Sequence, residues 1–171
     1  MTHPIFQLEQ ITQLPLWAQV LLASRFARRI LALTPANTEP RAVEILNKGC
    51  EALDQAAAAG DVIPAVREDL RRANSFQPTG PMHAITVAVG HAIAAAEAAV
   101  GAYDFAAAET ALINSISRSL TAASESPNTN PLQARILLAA DFDLLRFNCK
   151  ELGRYDAIPQ DVFSRLLPPS I

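Results

Sequence analysis

The side chains able to do chemistry are few: three histidines and two cysteines, set among seventeen acidic residues. Proton transfer, metal binding and nucleophilic attack need such groups brought together at set spacings. The sharpest row lies between residues 83 and 101. His83, Thr86, Gly90, Ala94, Glu97 and Gly101 recur at steps of three and four, which puts them on one seam of a helix. Ile85, Val89, Ala92, Ala96 and Val100 fall on the opposite side. Such a seam can wall a polar pocket, form a satisfied buried network, or be the thin wet stripe of an apolar helix. The wet stripe is the expectation.

His83 and His91 stand two helical turns apart, ~12 Å along the axis, too far to chelate one metal ion. There is no His-Glu-x-x-His, Glu-x-x-His or Cys-x-x-Cys, so neither a metal nor a cofactor is expected. Gly-x-Ser-x-Gly is absent, and Gly80, Gly90, Gly101 and Gly153 are isolated rather than gathered into a phosphate loop. No catalytic residue is nominated, and a chain that is not an enzyme is the expectation.

A second oddity lies between residues 131 and 153. Arg135, Ala139, Asp143, Arg146 and Lys150 share a polar helix face, while Asp141 and Asn148 fall among Leu137, Leu144, Leu145 and Leu152. A carboxylate in an apolar setting is costly unless paired. Asp141 is therefore expected to meet Arg25, Arg28 or Arg29, or to accept backbone hydrogen bonds. A perturbed carboxylate in a cleft would also be the first place to look for chemistry. With His83 and Glu97 from the seam, and Tyr155 and Asp156 from the tail, Asp141 and Asn148 complete the set of candidate binding residues.

These residues must be positioned by helices. Prolines and capping residues divide the chain into a short helix 5–13, then helices over 16–33, 38–60, 61–74, 79–101, 104–124 and 131–153, and a last short one after Pro159. Thr34-Pro35 closes the second, Thr38 caps the third, and Gly60 ends it. Asp61, Thr79, Asp104 and Asn130 are the expected caps of those that follow. Leu16, Val20, Ala23, Ala27 and Ile30 share one face of the second helix, with Arg25, Arg28 and Arg29 across from it on a solvated side. Arg67, Arg71 and Arg72 read the same way. Gln77 to Pro81 is a turn cluster, and Pro168-Pro169 stops the last helix. Ala88, Ala92, Ala95 and Ala99 are small enough for helix axes to approach closely.

No segment alternates as a strand does, and connections are short. The expected architecture is all-α: a single-domain bundle of about six to eight antiparallel helices around an alanine-rich central helix, spanning 1–171, with a C-terminal tail from residue 154. The apolar fraction of 50% and charged fraction of 18% suit a folded chain. A net charge of −3 speaks against a nucleic-acid backbone binder. Met82 to Ala102 is long enough for a bilayer, yet it holds His91 and Glu97 and lacks flanking cations, so no membrane partner is expected. Cys50 and Cys149 are read as buried thiols. The N-terminal stretch lacks a signal-peptide pattern, and the cytoplasm is the expected location.

Two stretches, 14–33 and 141–169, resemble a loosely defined group of bacterial alanine-rich helical proteins. The matching residues are Leu14, Pro15, Ala27, Arg28, Arg29, Asp141, Phe142, Leu145, Pro159, Phe163 and Leu166. That group is similar to immunity proteins of toxin systems, and the resemblance implies a helical fold that acts by binding. The function expected is a non-enzymatic, immunity-like factor that binds a protein partner through helix faces and the tail. A homodimer through alanine-rich faces is the companion expectation. The alternative is a small-molecule binder with a pocket between helices 81–101 and 131–153.

Overall fold

The computed structural model describes residues 6–33, 40–76 and 78–166. Among the described residues there are seven α-helices: α1 (Leu16–Ala32), α2 (Pro40–Ala59), α3 (Pro64–Ser75), α4 (Pro81–Glu97), α5 (Phe105–Glu125), α6 (Pro131–Asn148) and α7 (Gln160–Arg165). A 3-10 helix (Leu8–Gln13) precedes α1, and a π turn (Ala98–Ala102) extends α4. No strand occurs among the described residues, and the chain is an all-α, single-domain bundle. The start of the first helix at Ile5, the Thr34-Pro35 stop, the Thr38 cap, Gln77 and the Pro168-Pro169 stop lie outside the described residues.

Proline sets more boundaries than capping side chains do. Asp61 does not open α3; its carboxylate accepts the neighbouring N–H of Val62 at 2.7 Å. Ile63, held extended before Pro64, is the N-cap, because a residue preceding proline avoids helical geometry. Thr79 likewise gives way to Gly80, which caps α4 at a φ of 66°. Asp104 and Asn130 do cap α5 and α6, accepting the N–H groups of Ala107 and Leu132. Gly60, at a φ of 65°, ends α2. The helix expected to reach Gly153 stops at Asn148, where Cys149 turns inward and the chain doubles back.

The centre is a pair of helices. The alanine-rich α4 packs along α5 in the most extensive helix contact of the fold. Ala88, Ala92, Ala95 and Ala99 are all buried there, and the Ser115 hydroxyl donates to the Ala88 carbonyl at 2.6 Å. A side chain of one helix thus reaches the backbone of the next, as small residues permit. α1 is still more enclosed: 14 of its 17 residues are buried, against α2, α4, α5 and α6. Its arginine-bearing side is not a solvated face, since Arg25 is only 4% exposed. The segment Pro81–Ala102 is long and apolar enough to cross a membrane by length and composition, and in this fold it is a bundle helix.

Candidate functional site

Enclosing α1 forces its polar side chains to find partners inside the bundle. Asp141, 1% exposed, receives Arg29 through two bonds, from Nε at 2.7 Å and Nη2 at 2.9 Å. Arg25 Nη2 reaches the same carboxylate at 3.2 Å, and its Nη1 donates to the Leu166 carbonyl at 3.0 Å. The Asp141 carboxylate therefore joins α6 to α1, and Arg25 in turn joins α1 to the end of α7. The hydrogen bonds to Asp141 hold the Arg29 guanidinium even more firmly protonated than usual.

Arg28 turns the other way, to Asp54 of α2 at 2.6 Å. Ser24 donates to Asp54 at 2.7 Å and lies 3.0 Å from the Cys50 carbonyl. Burial raises the Asp54 carboxyl above its usual range, outweighing Arg28 and the Ser24 hydrogen bond. Burial also pushes the thiol of Cys50 up to about 12 and that of Cys149 to about 11. Both cysteines are free and buried, so neither supplies a thiolate. These clusters are ion pairs that fasten helices together, and the Ser24 hydroxyl that meets Asp54 is fully buried among them.

The candidate binding residues do not converge. His83 is exposed and lines a groove with Asn74 and Phe76 of the α3 end. Glu97, also exposed, lines another with Arg67 and Arg71 of α3. Ala94 and Gly101 are exposed too, while Thr86 is buried with its hydroxyl on the Met82 carbonyl. The seam is mainly a wet stripe, and across its grooves stands α3 rather than α6. Asn148, expected among leucines, is half-buried and donates its amide to the Leu144 carbonyl. Asp156 closes a turn by accepting the Gly153 N–H at 2.7 Å. Tyr155, half exposed, stacks on Phe105 with ring centroids 4.0 Å apart. Among the described residues no group of three metal-ligating side chains gathers.

What sequence reasoning missed is on α6. Leu132, Ile136, Leu144 and Phe147 are 66%, 54%, 36% and 69% exposed. At about 100° per residue they fall within about 120° of one another around the helix. Leu144 thus faces outward, not inward beside Asp141. Little in the sequence warned of this, because apolar residues flank the polar face of Arg135, Asp143 and Arg146 on a helix whose neighbours cannot be counted locally. Its principal neighbours are only α1 and α5. Polar groups rim the row: Arg146 pairs with Asp143 at 3.0 Å, and Lys150 sits 5.2 Å from the Phe147 ring centre.

No family model, no curated protein and no solved structure matches this chain.

Proposed function

We propose that this chain is a non-enzymatic factor that binds another protein, as the immunity-like proteins it resembles would, using the outer face of α6 and the tail that follows. The observation that supports this is the exposed row Leu132, Ile136, Leu144 and Phe147. Large apolar side chains exposed on one side of a helix, with charged groups among them, are costly to leave in water, and such groups mark interaction surfaces in folded proteins. An aromatic anchor such as Phe147, bordered by Arg146 and Lys150, is the composition that dominates binding energy.

The test places a photo-crosslinking amino acid at Phe147 and, as control, at the exposed Arg67 on α3. Expected is one discrete heterologous adduct from position 147, absent from position 67 and lost in Ile136→Lys. Each surface change should alter stability by no more than about 0.5 kcal/mol. Sedimentation of the isolated chain supplies the opposing result. A dimer that Ile136→Lys splits into monomers would mean that a second copy covers the row, and the reading of a foreign partner would fall.

A further inference from the structure

A second surface feature lies where the end of α4, the start of α1 and the tail meet. The chain has one tryptophan and two tyrosines, and all three line a single groove of ≈ 470 Å³, together with Phe105 and Asp61. Trp17 is nearly buried, while Tyr103 and Tyr155 stand 73% and 50% exposed. The backbone here departs from the helical norm. The π turn Ala98–Ala102 leads into Tyr103, at a φ of 52° and ψ of 29°. Tyr103 is the only described residue other than glycine with positive φ. That conformation ends the helix: Tyr103 is its left-handed C-cap, with its N–H bonded to the Ala98 carbonyl.

Asp61 lines the groove, and Asp104 and Asp156 adjoin Tyr103 and Tyr155 in sequence. Each accepts one backbone N–H, from Val62, Ala107 and Gly153, and none is ion-paired among the described residues. The adjacent Arg154 is turned to the Glu109 carboxylate and the Thr12 carbonyl. Aromatic faces and a carboxylate without an ion-pair partner both attract a cation, and Asp61 is the carboxylate that lines the groove. A primary ammonium would need acceptors for three N–H groups, and among the groove's side chains only Asp61 offers a carboxylate. An alkylated ammonium has no N–H to satisfy.

We propose that the groove formed by Trp17, Tyr103, Phe105 and Tyr155 beside Asp61 binds a small quaternary ammonium ion. The site is independent of the α6 row. The probe is choline chloride, titrated into the full chain while the Trp17 indole N–H and the two tyrosine rings are followed by NMR. Its uncharged isostere, 3,3-dimethylbutan-1-ol, is titrated in parallel, with sodium chloride as the salt control. Expected is a saturable shift with choline, with the alcohol about tenfold weaker. Tyr103→Leu should weaken choline roughly fivefold and Asp61→Asn roughly threefold, with both variants folded by circular dichroism. Equal response to choline and the alcohol would reduce the groove to an apolar crevice and overturn the proposal. So would no saturation into the tens of millimolar, or the same shifts with sodium chloride.

Discussion

Asp141 fastens α6 to α1, because two arginines of α1 converge on its buried carboxylate. Removing it would leave Arg25 and Arg29 facing a cavity. Asp141→Ala should therefore cost about 3–5 kcal/mol, read as a large drop in the urea midpoint. Glu44→Ala, which breaks the exposed pair with Lys48, should change stability by less than about 1 kcal/mol. An Asp141 variant that stays fully stable but loses partner binding would reverse the structural assignment. His91 gives a pH signature. Burial, and then Arg118, lower its pKa from 6.5. On acidification the unfolded chain takes up that proton first, so stability is lost as pH falls below 6.5 toward the folded value. The effect is small at a half-buried site. It is measured as a urea-midpoint sag that His91→Gln removes, and as a proton NMR midpoint below 6.5. At this scale the sequence was legible where a charge stood among leucines, as at Asp141. The burial of Arg25 was not, because it depends on α6 and the tail docking over a helix more than 100 residues earlier.

Among the elements, α2, α3 and α4 meet where glycine is irreplaceable. A Cβ at Gly49 would lie 2.7 Å from the Ala73 Cβ and 3.2 Å from Val89. Gly49→Ala should destabilise by about 1–3 kcal/mol, since overpacking outweighs the gain in helix propensity. Gly90 is the contrasting case. Its added Cβ would meet only the end of the Asn74 side chain at 2.9 Å, which can swing away. Gly90→Ala should therefore stabilise by up to about 1 kcal/mol; thermal unfolding of both variants decides the pair. Local sequence gave the helices themselves through three-four spacing, but the start of α3 at Pro64 was read three residues too early, at Asp61. Asp61 was misleading there because its carboxylate satisfies Val62 instead of a first-turn N–H. The end of α6 was hidden for a different reason. Helical spacing continues to Leu152, and only the return of the chain, where the Arg154 carbonyl takes the Leu16 N–H, requires the earlier stop.

For the whole molecule, composition and period sufficed for the all-α class. They did not suffice for the surface that matters. Whether Ile136 and Phe147 are inside or outside is a matter of how many helices surround α6, and no local pattern encodes that number. The seam at His83 and Glu97 drew attention because its polarity stood out against alanine, yet α3 leaves both residues wet. The enclosure of α1 has a consequence during synthesis. This helix leaves the ribosome well before α4, α5 and α6, the elements that later wrap it. At about 5–20 residues per second, Asp141 follows Ala32 by on the order of ten seconds. Throughout that delay a nascent chain displays Trp17, Leu21, Leu22 and Phe26 to the cytosol of any host making it. It is then a natural client for holdase chaperones, and expression in cells depleted of them should shift product into inclusion bodies.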